Sequence, residues 1–184
     1  MNRRRRLVAA MALLAAAPRP ARSQQQAIVF DLERYVRVHR ERQSSGDQIV
    51  QFVPEGETLA DWTRSIAIYR YTALGDDPAR AALELRESVR AANPDAQSRI
   101  LVHTVTDDAV LDFLTWPPDG RYLEFNVMRY VKVARGKGLV ALRFVYRFTD
   151  ARKELSEQFK ENRLSWVRQV ADFDLIAIYA VLDN

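Results

Sequence analysis

Polar and apolar residues alternate from Glu33 to Gln43, with Val36 and Val38 on one side and Tyr35, Arg37 and His39 on the other, the period of two that marks a half-buried strand. Ser44-Ser45-Gly46-Asp47 supplies turn chemistry, and Gln48 to Val53 reads as the returning strand of a hairpin. Beyond the loop Pro54-Glu55-Gly56-Glu57-Thr58, Trp62 to Thr72 predicts a third strand, with Ile66 and Ile68 facing one way and Ala67, Tyr69 and Tyr71 the other. The period then changes. Asp77 is placed to accept backbone N–H groups as an N-cap, Pro78 suits the first helical position, and Ala82, Leu85, Val89 and Ala92 recur at helical spacing until Asn93-Pro94 stops the helix.

Arg99 to Thr106, which holds His103, and Ala109 to Trp116 read as further strands, followed by the turn Pro117-Pro118-Asp119-Gly120. Tyr122 to Arg135 and Gly138 to Phe148 form a hairpin, for which Gly136-Lys137 suits a two-residue type II′ turn. That turn sets Val133 opposite Val140, Val131 opposite Leu142, Val127 opposite Tyr146 and Phe125 opposite Phe148. One face is then apolar except at Arg129, opposite Phe144, and the other gathers Asn126, Tyr130, Lys132, Arg143 and Arg147. A slip of one residue would destroy this segregation. Asp150 caps a final helix from Ala151 to about Val170, striped by Leu155, Phe159, Trp166, Val167 and Val170. Asp174 to Val181 fits either a strand or a buried helical end, and β-branched Ile176 and Ile178 favour the strand. Gln24-Gln25-Gln26 has no pattern, so order is expected to begin near Ala27.

Short connections between neighbouring strands imply an antiparallel sheet, and two amphipathic helices must bury their stripes on it. The expected fold class is therefore α+β: an antiparallel β-sheet packed with two main α-helices in an α/β/α sandwich. A length of 184 residues with 48% hydrophobic and 28% charged residues suits one packed domain and excludes a collagen-like or wholly disordered chain.

Charge changes the picture. The formal net charge is +4, which would invite a nucleic-acid partner. However, residues 1–23 hold six of the 28 bases and no acid, so the remainder has 22 bases against 24 acids, a net charge of −2. Those 23 residues read as a cleaved export leader: a basic start at Asn2 to Arg6, an apolar run of 11 residues from Leu7 to Ala17, and Ala21-Arg22-Ser23 as an A-x-A-like site with the cut before Gln24. The apolar run is well short of the roughly 20 residues of a membrane-spanning helix. Arg4-Arg5-Arg6-Leu7-Val8 has the twin-arginine pattern, and the general secretory route stays equally open. A periplasmic or secreted domain of residues 24–184 is expected. The chain has no cysteine, which excludes disulfides, thiol nucleophiles and thiolate metal sites.

Candidate chemistry is sparse. Glu55 and Glu57 could serve as a general acid/base pair or bind a cation, with a tight turn at Gly56 leading to a core-edge Trp62 as the plainer reading. Tyr130, Asn126, Arg143 and Arg147 on the polar sheet face could receive an anionic ligand or a partner carboxylate, unless a helix or solvent simply covers that face. Asp107, Asp108 and Asp112 read as a turn and a strand edge. His39 and His103 have no third ligand in sight, so no metal site is predicted. The Arg135-Gly136-Lys137-Gly138 segment is a hairpin tip and not a phosphate loop, because a strand follows it. No cofactor is expected, and no catalytic residue is assigned.

The order of elements resembles the Mog1/PsbP-like fold, and Val53-Pro54-Glu55-Gly56-Glu57-Thr58-Leu59-Ala60-Asp61-Trp62-Thr63 resembles a P-x-G-E…W-T loop of uncharacterised exported bacterial proteins. The resemblance implies a non-enzymatic assembly or binding protein, although fold alone does not settle function. The expectation is a non-catalytic module that binds a protein or envelope partner. The alternative is a small periplasmic enzyme or small-ligand carrier with its site near the Glu55–Trp62 loop.

Overall fold

The chain folds around one antiparallel sheet of eight strands. The structure is a computed structural model that describes residues 26–134, 136–148 and 158–183. The expected leader, Arg135, the expected cap Asp150 and the start of the helix expected from Ala151 lie outside the described residues. The elements are β1 (Ala27–Phe30), β2 (Glu33–Arg42), β3 (Gln48–Pro54), β4 (Arg64–Tyr71), α1 (Pro78–Ala92), β5 (Ser98–Val102), β6 (Ala109–Thr115), β7 (Leu123–Lys132), β8 (Leu139–Phe148), α2 (Gln158–Ala171) and α3 (Leu175–Asp183). In space the strands run β1-β2-β3-β4-β8-β7-β6-β5. Two four-stranded meanders thus meet where β4 pairs with β8, and α1 carries the chain from the middle of the sheet to its far edge. Among the described residues no helix is long and apolar enough to cross a membrane.

Successive strand residues point to opposite faces, and helices cover both. One core gathers Phe52, Ile66, Ile68, Phe125, Val127, Leu142 and Phe144 beneath Trp166, Val167 and Val170 of α2 and Ile178, Val181 and Leu182 of α3. The other places Ala81, Ala82 and Val89 of α1 on Leu111, Phe113, Met128, Tyr130, Leu139 and Ala141. Each large apolar side chain taken fully out of water stabilises the fold by about 1.5–3 kcal/mol. Burial on both sides is why β7 is closed to solvent at every residue from Phe125 to Val131.

The helix expected at 78–92 forms with those bounds. Asp77 Oδ1 accepts the Arg80 N–H at 3.0 Å, and the Asn93 N–H closes the last turn on Val89 O. Ala92, expected on the buried stripe, is exposed at the last position of the helix.

Several other expectations are corrected. Residues 27–30 form an edge strand, with a turn at Asp31 and Leu32 in which both have positive φ, 50° and 62°. Such a turn normally asks for Gly or Asn. Here α2 holds it, since Trp166 Nε1 and Gln169 Nε2 donate to the Asp31 carboxylate at 2.8 and 3.1 Å. In β2 a register shift between Arg37 and His39 breaks the alternation, and ahead of it Tyr35 and Val36, adjacent residues on opposite faces, are both buried. β5 ends at Val102, and His103 heads a turn in which its Nδ1 accepts the Val105 and Thr106 N–H groups at 3.3 and 3.2 Å.

The central hairpin has the expected strands but a different register. Val131 faces Val140, Arg129 faces Leu142, Val127 faces Phe144 and Phe125 faces Tyr146. The ladder ends at Lys132 opposite Leu139, and the connection is longer than the two-residue turn expected there. The offset is two residues, so every side chain keeps its face while its cross-strand partner changes.

The segment after Asp174 is helical, which replaces the expected last strand and adds a third helix to the two foreseen. Asp174 Oδ1 accepts the Ile176 N–H at 2.8 Å, opening α3. Ile178, Val181 and Leu182 then recur at i, i+3 and i+4 and are buried. Arg40 of β2 donates to the Val181 and Leu182 carbonyls at 3.0 and 2.6 Å, satisfying acceptors that the helix end leaves open.

Candidate binding site

The P-x-G-E…W-T segment closes on itself. Gly56 has φ 98°, and the Glu57 N–H donates to Pro54 O at 3.0 Å. The Glu57 carboxylate accepts from both the backbone N–H (2.8 Å) and the hydroxyl (2.7 Å) of Thr63, which fixes the entry to β4. Glu55 donates its N–H to Arg34 O and pairs through its carboxylate with Arg34 at 3.0 Å. Glu55 is exposed and Glu57 half-buried, and each holds its own neighbourhood.

Trp62, carried by this loop, lies on Arg147. The guanidinium carbon is 3.7 Å from the Trp62 ring centre and 4.3 Å from that of Tyr122, and Arg147 also pairs with Glu124 at 2.9 Å. This stacked cation clamps the loop to the end of β8.

Further along the same sheet face, Arg143 and Tyr130 line a cavity of about 290 Å³ between α1 and the sheet. Its walls include Tyr69, Tyr71, Leu85, Phe113 and Met128. Tyr69 and Tyr71 stack at 5.5 Å with 6° between their planes, and Tyr71 lies 6.4 Å from Tyr130. Arg143 donates through Nε (2.9 Å) and one terminal nitrogen (2.5 Å) to Asn126 Oδ1. The Asn126 amide in turn donates to Thr115 Oγ1 at 3.2 Å and Glu124 O at 3.3 Å.

Of the seven residues singled out in the sequence, Tyr130 and Arg143 share the cavity, Asn126 holds Arg143, Trp62 and Arg147 form the neighbouring stack, and Glu55 and Glu57 stay within their loop, outside the cavity lining. Tyr69, Tyr71 and Met128 were not singled out. The alternation of β4 puts Tyr69 and Tyr71 on one face, but only the pairing of β4 with β8 brings them beside Arg143.

The acids at 107, 108 and 112 do more than build a turn. Asp108 pairs with Arg129, and Asp112 pairs with Arg163 of α2 at 2.5 Å. Among the described residues no three His, Asp or Glu side chains converge as a metal site.

Burial holds the phenols of Tyr35, Tyr71 and Tyr130 well above their ordinary value of 10.0, with Arg64 offsetting this at Tyr35 and Arg143 offsetting it at the other two. The unfolded chain therefore ionises first. These groups leave stability intact below about pH 10 and withdraw it as the pH rises further. Urea unfolding between pH 8 and 11.5 should show stability falling from about pH 10, with a shallower fall in Tyr71→Phe/Tyr130→Phe. A profile equally steep in that double variant would refute the assignment.

The fold and the cavity define the class: an α+β protein on one eight-stranded antiparallel sheet, with helices on both faces and an arginine-bearing cavity under one of them. The chain belongs to an uncharacterised protein family, whose model matches residues 23–175. No curated protein matches it.

Proposed function

We propose that this protein is an exported binding module without catalytic chemistry, and that its binding face is the α1 side of the sheet. The observation that carries this reading is the Arg143 cavity: a half-buried cation with aromatic walls and, among the described residues, no acid in the lining. Glu55 and Glu57, the pair considered for acid/base work, already hold Arg34 and Thr63. Tyr71 and Tyr130, held protonated by burial, are poor bases near neutral pH. A protein or envelope partner would reach Arg143 only through a projecting carboxylate, so the concave site favours a small ligand as its occupant.

Export rests on the basic start, apolar run and A-x-A-like site within residues 1–23. The antiparallel sheet with helices on both faces is compatible with the Mog1/PsbP-like resemblance, and a non-enzymatic role is part of the same reading.

Native mass spectrometry of the protein made with its leader and recovered from the periplasm tests this. The expected spectrum shows a chain starting at Gln24 with extra mass that is lost on denaturation, unchanged in Glu55→Gln/Glu57→Gln. An uncleaved cytoplasmic chain overturns export. A chain that stays bare after incubation with a small-molecule extract of the cells overturns binding.

A further inference from the structure

We infer that the cavity under α1 is a receptor site for a small organic monocarboxylate with an apolar body of about ring size. This deepens the binding reading above and rests on it.

The charge pattern comes first. The central hairpin carries three arginines whose side chains are buried or half-buried. Arg129 is matched by Asp108 and Arg147 by Glu124, whereas Arg143 meets, among the described residues, only the neutral amide oxygen of Asn126. A guanidinium offers five N–H donors in a flat fork that suits a carboxylate, and Asn126 engages only its Nε and one terminal nitrogen. The amide thus holds the cation in place without neutralising it. Among the described residues Arg143 is also the only charged side chain in the cavity lining, which favours a single negative charge over a phosphate dianion.

The walls set the body. Stacked Tyr69 and Tyr71 line it with Leu85 and Val89 of α1, and Met128 adds apolar surface directly beside Arg143, its cross-strand partner. A volume of about 290 Å³ is at the small end of ligand sites and suits a ring or short branched chain, not a nucleotide. Tyr71 and Tyr130 remain neutral, so they add no repulsion toward an anion.

Calorimetric titration with 3-phenylpropionate, 3-phenylpropanol, acetate and phenyl phosphate tests the inference. Saturable 1:1 binding of 3-phenylpropionate is expected, with the alcohol and acetate each at least about tenfold weaker, because each lacks one half of the recognition. Arg143→Gln should weaken 3-phenylpropionate about tenfold or more and leave the alcohol unchanged. Leu85→Trp, which fills the cavity from α1 without touching Arg143, should abolish binding while circular dichroism stays native. Equal affinity for acid and alcohol, tighter binding of phenyl phosphate, or no heat with 3-phenylpropionate overturns the monocarboxylate. If the native spectrum still shows a retained molecule of another class, the binding reading survives that failure.

Discussion

Replacing Asp108 with alanine is expected to lower the unfolding free energy by about 3–5 kcal/mol, the cost of leaving a buried cation without its counter-charge. Arg129 donates to Asp108 Oδ2 through Nε (3.1 Å) and a terminal nitrogen (2.5 Å), and its other terminal nitrogen donates to Phe173 O at 2.9 Å. The two side chains are only 9% and 8% exposed, so salt screens them little. The arginine also links β7 to the turn between α2 and α3, so its loss of anchorage loosens the helical layer. Urea unfolding in low and high salt measures this. Asp108→Leu/Arg129→Met, which removes both charges, should recover most of the loss. A single variant costing under about 1 kcal/mol, or a double variant as unstable as the single, would show that the pair does not carry this weight.

Gly138→Ala is expected to cost about 2–5 kcal/mol, from two sources. Gly138 has φ +106°, where a Cβ costs about 1–2 kcal/mol. That Cβ would also lie 2.1 Å from the Tyr71 carbonyl oxygen, and forcing the two backbones apart adds about 1–3 kcal/mol. Gly136 separates the two contributions, since it has φ +107° and open space within 4 Å of where a Cβ would sit. Gly136→Ala should therefore cost only about 1–2 kcal/mol. Equal losses in the two variants would mean that β8 does not approach Tyr71 as closely as the fold places it. Because Tyr71 lines the cavity, Gly138→Ala should also weaken any ligand held there.

Both effects depend on contacts that local pattern reveals only in outline. Arg129 was legible as a break in an apolar face, but the residue that answers it lies 21 positions away, in the loop just before β6. The hairpin faces followed from alternation, whereas the partners were displaced by two residues because a shift of two leaves alternation intact. Tyr130 and Arg143 were grouped correctly by face. The functional weight put on Glu55 and Glu57 came from residue type alone, and the pattern gave no sign that Thr63 and Arg34 would engage them.

The sequence by itself determined the α+β class, the bounds of α1 and the polar character of one side of the central hairpin, because caps, prolines and side-chain period act within a few residues. Tertiary structure alone decided the strand β1, the helical state of the last segment, the order of the two meanders and the cavity. Ile176 and Ile178 prefer strands, yet the burial of Ile178, Val181 and Leu182 on β3 and β4, with Arg40 closing the helix end, outweighs a local preference of a few tenths of a kcal/mol per residue. The Asp31-Leu32 turn likewise exists because α2 supplies its hydrogen bonds. The cavity combines residues from β4, α1, β6, β7 and β8, so no stretch of chain could announce it.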